Sequence, residues 1–238
     1  QIFATGIAVL GLAAASQLYN HPQDAGLAPD GDASAAPLAA GSGMGLLQAM
    51  GSARFQGLFL AIALTSVSLF AATVHISPHA RGLGVAAPLS NSLIGLIGVG
   101  NLLGRLLLGG LADRIGRLPL LALLTLALAL LHLLWWQAGG YAGLAWFALL
   151  FGACHGGCIT LYPTLAADWF GTRHLGAILG ALYISVGIAA WGGASLAGWF
   201  FDQTGGYGAA ILASGTAALV AAAGLLTLAQ RGKTPVPA

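Results

Sequence analysis

Seven stretches of mostly apolar residues follow one another along this chain, and each has the length of about 20 residues that a helix needs to cross a lipid bilayer. They cover approximately residues 1–19, 55–77, 89–111, 118–138, 141–165, 175–199 and 207–229. A chain in a bilayer must satisfy its backbone hydrogen bonds internally, so uninterrupted apolar runs of this length predict transmembrane helices. The sequence therefore predicts an all-α membrane protein.

The composition agrees with a lipid environment and excludes other classes. Hydrophobic residues make up 58% of the chain and charged residues 6%, whereas a soluble domain carries about a quarter charged residues. The net charge of +2 is small and scattered, which predicts the lipid bilayer as a partner and no nucleic acid. The two cysteines, Cys154 and Cys158, both lie in an apolar run, so no disulfide framework is predicted.

A polar segment rich in Pro, Gly and Ala separates the first predicted span from the other six, and this composition is typical of a flexible linker. Its end, residues 44–53, favours a short helix leading into the next span. The chain opens at Gln1 directly in an apolar run, without Met or a basic region, so we expect an upstream portion to be missing. The predicted organisation is a truncated helix at 1–19, a linker at 20–54, a six-helix transmembrane domain at 55–230 and a tail at 231–238.

The basic residues outside the spans are distributed asymmetrically. Six of them fall in alternate connections on one side of the predicted bundle, and one falls on the other side. By the positive-inside rule the side with six is cytoplasmic. We therefore expect a multi-pass plasma-membrane protein, in a bacterial inner membrane, whose linker and C-terminus are cytoplasmic. The six are Arg54, Arg114, Arg117, Arg173, Arg231 and Lys233, and the single one is Arg81.

The connection after the third predicted span carries the pattern Gly-x-x-x-Asp-Arg-x-Gly-Arg. Its defining residues are Gly109, Asp113, Arg114, Gly116 and Arg117. The glycines allow a sharp reversal, and Asp113 at a helix end can meet a helix N-terminus or a nearby arginine. The alternative interpretation is an ordinary basic cytoplasmic turn.

This loop resembles the signature loop of the major facilitator superfamily. In that family the loop recurs once in each six-helix half, after the second and eighth helices. Because the copy here follows a long linker, the resemblance implies that the seven spans correspond to helices six to twelve of twelve. The implied fold is the C-terminal six-helix half of a major facilitator fold plus the last helix of the N-terminal half, and the missing N-terminal half of the same chain is the implied partner.

A narrower resemblance points to the monocarboxylate transporters and the oxalate/formate antiporters. It implies a secondary active transporter, without cofactors, that moves a small organic anion by alternating access, with proton coupling or exchange. The segments that carry this resemblance are residues 75–81, 101–105, 156–157, 163, 167–171 and 202–207.

Arg105 is the only charged residue placed deep within a predicted span. It stands eight positions before Asp113, which puts it about 12 Å inside the helix end and near the middle of a hydrocarbon core about 30 Å thick. Such arginines usually face a cavity and a partner. Its counterpart in the resembled family is implicated in holding the substrate carboxylate, for which a planar fork of donors is suited. The alternative is a structural arginine that snorkels or caps carbonyl groups.

Asn101 lies one helical turn before Arg105 and shares its face. Animal monocarboxylate transporters carry Asp at that place, so their Asp–Arg form of proton coupling is in doubt here. Val186 stands where the antiporters have a lysine, so the second cation for a dicarboxylate is missing. Both departures favour a small monoanionic substrate. We expect Arg105, Asn101 and His155 to bind it.

His155 lies in the middle of a span, between Cys154 and Gly156. Small neighbours leave space beside the helix, and a His can titrate near neutral pH. Either it lines a cavity, or it is a neutral His hydrogen-bonded to another helix. Cys154 and Cys158, four residues apart, could hold a soft metal, but without a convergent third ligand no metal site is predicted.

Two other polar groups lie on the first span of the six-helix domain. Thr65, Ser68 and His75 form a stripe that either lines a pathway or makes helix contacts. His75 and His79 are expected to form an exposed pair near the outer end of the span, because Pro78 intervenes.

Enzyme and ATPase motifs are absent from the sequence. Without Glu there is no His-Glu-x-x-His, and neither Gly-x-Ser-x-Gly nor Gly-x-x-x-x-Gly-Lys-Ser/Thr occurs, so the sequence predicts a transporter and not an enzyme. Two alternatives remain open: a metal-ion importer of the same superfamily that uses the Cys and His residues, and a facilitator of other small solutes.

Overall fold

Six long helices dominate the computed structural model, which describes residues 9, 10, 12, 13, 16 and 43–231. They are α1 (Ala53–Gly82), α2 (Ala87–Ile115), α3 (Arg117–Gln137), α4 (Tyr141–Phe170), α5 (Leu175–Thr204) and α6 (Gly208–Arg231). All six are long and apolar enough to cross a membrane. Each predicted span of the six-helix domain falls on one of them, so the predicted all-α membrane fold is confirmed. The predicted first span, most of the linker and the tail beyond residue 231 lie outside the described residues.

Several helices run further than the apolar stretches that predicted them. α1 contains Pro78 one turn before its end and continues to Gly82, and α4 continues past its apolar run through Asp168 to Phe170. At 1.5 Å per residue a helix of 30 residues is about 45 Å long, longer than the hydrocarbon core. Hydropathy therefore located the membrane-buried part of each helix and missed the turns at the bilayer surface.

A one-turn helix, Leu46–Met50, precedes α1, as the end of the linker predicted. Ser52 then caps α1, because its hydroxyl accepts a hydrogen bond from the backbone N–H of Phe55 at 3.2 Å.

The helix contacts have an internal symmetry. The contacts match when α1, α2 and α3 are exchanged for α4, α5 and α6, respectively. The most extensive contact is between α2 and α4, and the corresponding contact is between α5 and α1. The contact of α1 with α6 corresponds to that of α4 with α3, while α3 and α6 pack on each other. Because each group has an odd number of spans, the second group runs in the opposite direction. Inverted repeats of this kind recur in helical membrane proteins.

The contact between α2 and α4 brings the two backbones against each other through glycines spaced four residues apart on both helices. A Cβ atom at any of the four would overlap a backbone carbonyl oxygen of the facing helix. Small residues at this spacing let membrane helices approach closely. We call this contact the glycine seam. Its members are Gly100 and Gly104 on α2, and Gly152 and Gly156 on α4.

The polar stripe of α1 makes helix contacts inside the bundle. Thr65 lies 3.0 Å from the hydroxyl of Tyr162 on α4, and Ser68 lies 3.0 Å from Nε2 of His132 on α3. All four side chains are buried. The helix-contact interpretation of the stripe is therefore the one that the structure supports.

The prediction of an exposed histidine pair is wrong, because both side chains are half-buried against other helices. Nε2 of His75 donates to the carbonyl oxygen of Ala194 at 3.1 Å. Trp135 Nε1–H donates to Nδ1 of His79 at 2.9 Å. α1 continues through Pro78, which keeps both rings on a helix that packs on α3 and α5.

Replacing glycines of the seam with alanine is expected to destabilise the protein. Gly104→Ala and Gly156→Ala each force a methyl group into a facing carbonyl, and overpacking of this kind costs about 1–3 kcal/mol. The thermal unfolding midpoint of the purified protein measures the effect. The matched control is Gly224→Ala on α6, where an added Cβ meets nothing within 4 Å. Equal midpoints for the seam variants and the control would contradict the close approach of α2 and α4.

Candidate functional site

The three residues predicted to bind substrate are linked by hydrogen bonds where α2 crosses α4. Nε–H of Arg105 donates to Oδ1 of Asn101 at 2.9 Å. Nδ2 of the same amide lies 3.4 Å from Nδ1 of His155, which makes a long hydrogen bond between the helices. We call this set the polar chain. The structure thus brings together residues that the sequence placed on two separate spans.

The glycine seam explains why these side chains meet. Gly156 lies against the backbone carbonyl of Asn101, so the two helices are in direct contact at the level of the polar chain. Asn101 is the middle residue of α2, and His155 is at the middle of α4. Arg105, one turn further along α2, is exposed on the open face of that helix.

The pairing fixes the orientation of the amide and the tautomer of the imidazole. Since Oδ1 of Asn101 accepts from Arg105, its NH₂ group faces His155 and must be the donor there. Nδ1 of His155 is then an acceptor, so the neutral ring carries its proton on Nε2. Within the described residues this nitrogen has no hydrogen-bond partner, and no fully buried side-chain polar atom is left unpaired. Nε2–H of His155 is therefore an unpaired donor that is not completely enclosed, on a side chain that is otherwise buried.

The same side chain lines a cavity of about 330 Å³ between α1, α4 and α5, which we call the central cavity. Arg105 is not one of the lining residues; it is linked to the cavity through Asn101, which contacts the lining residue His155. The lining side chains are Ser66, Leu69, His155, Ile159, Tyr162, Tyr183 and Val186, with Gly187 completing the wall.

Sequence reasoning missed most of this cavity wall. Ser66 lies beside the polar stripe of α1, and Tyr162 and Tyr183 are hydroxyl-bearing residues in otherwise aliphatic runs. Those were usable signals, but the sequence does not say that α4 and α5 meet α1 at the same level. Val186 was noted only because it stands where the oxalate/formate antiporters have a lysine, and its position in a cavity wall was not predicted.

The signature loop forms a turn of one residue. α2 ends at Ile115 and α3 begins at Arg117, so Gly116 alone reverses the chain, at φ +91°. A side chain is disfavoured in that region of φ, which explains the glycine. The expectation that several glycines form the reversal is wrong. Gly109 lies inside α2, where an added Cβ would meet nothing within 4 Å.

The charged residues of the loop differ in what they contact. Arg117, the first residue of α3, forms an ion pair with Asp168 at the end of α4. Asp113 and Arg114 lie in the last turn of α2. The Arg117–Asp168 pair thus links the signature loop to the end of α4.

The end of α4 is a contact point for several elements. The guanidinium of Arg54 on α1 lies 5.8 Å from the ring centroid of Trp169, within the range of a cation–π interaction. The backbone N–H of Met44 donates to the carbonyl of Phe170 at 2.8 Å, and Gly43 forms a single antiparallel bridge with Gly171. The segment entering α1 is thereby fixed to the α4–α5 connection.

A metal site is not supported in the part of the chain that the structure describes. There, no group of three or more His, Cys, Asp or Glu side chains converges. Cys158 is buried, and its sulfur lies 3.9 Å from the hydroxyl of Thr125.

Comparison with known proteins agrees with this architecture. The model of the Major Facilitator Superfamily matches residues 57–238. The chain is 30% identical to Monocarboxylate transporter 12 of Rattus norvegicus over 178 residues, which is 69% of this chain and 35% of that protein. It is 27% identical to the MFS transporter asaE of Aspergillus flavus over 189 residues, 76% of this chain and 43% of that protein. The matched segment therefore spans less than half of these relatives, and both are named as transporters, as the sequence predicted for this chain.

Coupling between Asn101 and His155 is testable by a double-mutant cycle. Asn101→Ala and His155→Ala each remove one partner, so the double variant should be more stable than the sum of the two losses predicts. We expect a coupling energy of about 0.6 kcal/mol, the average for hydrogen bonds between membrane helices. Unfolding free energies of the four proteins measure it.

The control cycle combines Asn101→Ala with Ser214→Ala, since the Ser214 hydroxyl bonds only within α6. That pair should be additive. Additivity in both cycles would mean that the 3.4 Å contact contributes nothing.

Proposed function

The chain belongs to the major facilitator superfamily, and from that membership we propose that it is part of a secondary transporter of a small organic anion. The transporter works by alternating access between two six-helix halves, of which α1–α6 form one. The observation that carries the proposal is the position of Arg105, a charged side chain on the open face of α2 that is linked through Asn101 to His155 in the wall of the central cavity. In the described part of the chain, it is the one charged group near the middle of a membrane-spanning helix.

Arg105 is suited to bind a carboxylate end-on. Its Nε–H is used by Asn101, so the two terminal nitrogens are left to form parallel hydrogen bonds with two carboxylate oxygens. An anion placed there supplies the opposite charge that a desolvated arginine requires.

His155 gives this site a means of coupling anion and proton. A second proton on the ring would go to Nδ1, which would break the hydrogen bond from Asn101 and put a positive charge beside that of Arg105. A bound carboxylate offsets one of the two positive charges, so protonation is easier when the anion is present. We infer that proton and anion bind together. The other polar groups that face the ring across the cavity are Ser66, Tyr162 and Tyr183.

The distribution of basic residues supports one orientation in the membrane. The six spans make this a multi-pass membrane protein. We propose that the end carrying Arg54, Arg114, Arg117 and Arg173 faces the cytoplasm of a bacterial cell, as the positive-inside rule requires. The N-terminal half of the same chain would close the cavity from the side of α2 and α5, since these helices bury only 22% of their most apolar windows, against 44–56% for the others.

Removing the charge of Arg105 is expected to abolish anion binding. Arg105→Gln leaves the carboxylate without its counter-ion, at a cost of about 3–5 kcal/mol, which is a loss of two orders of magnitude or more in affinity. Arg105→Lys keeps the charge and loses the two-pronged geometry, so it should be impaired as well. Binding and uptake of carboxylates by the full-length protein, with expression and thermal stability in parallel, are the measurements.

A second arginine provides the control for this experiment. Arg81 also donates to an asparagine, with its Nη2 2.7 Å from Oδ1 of Asn91, but it lies in the last turn of α1, at an end of the bundle. Arg81→Gln should retain binding. If Arg105→Gln folds normally and binds carboxylate with wild-type affinity, the anion site lies elsewhere.

The pH dependence of uptake is expected to depend on His155. In the wild-type protein carboxylate uptake should rise as the pH falls, because protonation of His155 assists anion binding. His155→Gln cannot gain that proton, so its pH profile should be flatter while binding is retained. His174→Gln, at the exposed start of α5, is the control and should leave the profile unchanged. An unaltered profile in His155→Gln would assign the ring a purely structural role.

A further inference from the structure

Next to the proposed carboxylate position, the central cavity is lined mostly by apolar side chains. We propose that it holds an apolar tail of the substrate, so that the transported anion is a monocarboxylate with a branched aliphatic or aromatic tail. Under this proposal formate and oxalate are poor ligands. The inference rests on the proposed function, because it takes Arg105 as the position of the carboxylate.

The head and tail positions share a wall. His155 is hydrogen-bonded to Asn101 on the side of α2 and lines the cavity on its other side. A ligand whose carboxylate contacts the terminal nitrogens of Arg105 would therefore extend past the imidazole toward α1 and α5. Tyr183 of α5 also lines the cavity and is 39% exposed.

The lining favours an uncharged tail. Leu69, Ile159 and Val186 contribute hydrocarbon, and no charged residue lines the cavity. The hydroxyl of Tyr162 is engaged with Thr65 at 3.0 Å. A second carboxylate in this space would be desolvated without a counter-ion, which is strongly unfavourable. The cavity therefore disfavours dicarboxylates, because no cation in its wall can pair with a second carboxylate.

The volume sets the size of the tail. At about 330 Å³ the cavity is at the lower end of the range for small-molecule sites, about 300–1,000 Å³. That is ample for a branched chain or a single ring, whereas formate and oxalate have no hydrocarbon group to place in it.

Gly187 offers a way to fill the cavity without disturbing the bundle. It lies on α5 in the cavity wall, and an added Cβ there meets nothing within 4 Å. A leucine at this position would project into the space that the tail needs. Gly180, seven residues earlier on the same helix, is equally open and is absent from the cavity wall. The pair provides a filled cavity and a matched control.

The experiment measures dissociation constants of the purified full-length protein for acetate, 4-methylpentanoate, phenylacetate and oxalate. In the wild-type protein, 4-methylpentanoate and phenylacetate should bind at least about tenfold more tightly than acetate, since one buried methylene contributes about tenfold or more. Oxalate should bind no better than acetate. Gly187→Leu should remove the preference for the larger tails, so that 4-methylpentanoate and phenylacetate bind no more tightly than acetate, and Gly180→Leu should behave as wild type.

The outcomes separate this inference from the proposal on which it rests. If carboxylates bind in an Arg105-dependent manner but acetate and phenylacetate bind equally well, the tail site is refuted and the anion site stands. The wild-type series alone decides this, even where Gly187→Leu fails to fold. Retention of the phenylacetate preference in a well-folded Gly187→Leu protein also refutes it. If binding of every carboxylate is indifferent to Arg105→Gln, the proposed function itself is wrong.

Discussion

The direct backbone contact between α2 and α4 is the interaction on which the candidate site depends. Lipid offers no hydrophobic force that would drive two apolar helices together, so their association relies on close van der Waals contact. The glycine seam allows that contact, because each of its four members has a facing carbonyl where a Cβ would otherwise lie. The same approach brings Asn101 within reach of His155, so stability and site geometry have one origin.

Burial of a charge in the membrane is the second constraint. Asn101 gives Arg105 one hydrogen-bond acceptor but no opposite charge, so the guanidinium must stay at an open, hydrated face or meet an anion. The fold supplies that face on α2, one of the two least buried helices. The other is α5, which is equivalent to α2 under the exchange of the two three-helix groups and lines the central cavity. The helix that carries Arg105 and one of the three helices that line the proposed tail site are therefore related by this symmetry.

Hydropathy was sufficient to predict the six helices, because each crosses the bilayer as one apolar run, and depth along the helix was sufficient to single out Arg105 and His155. Contacts between distant elements were not predictable in this way. α2 packs on α4 more than on its sequence neighbour α3, and Arg117 meets Asp168 across 51 residues. The cavity wall depends on such contacts, so Tyr162 and Tyr183 were missed.

α4 joins the site to the basic end of the bundle. Its middle carries His155 and half of the glycine seam, and its last turn carries Asp168, Trp169 and Phe170, which contact α3, α1 and the segment entering α1. Since a helix transmits displacement along its length, a movement of α4 that reshapes the cavity must also strain these end contacts. The Arg117–Asp168 pair is partly exposed on both sides, and such a pair contributes at most about 1 kcal/mol. Breaking this pair therefore costs little, whereas separating α2 from α4 would lose the close backbone contact of the glycine seam.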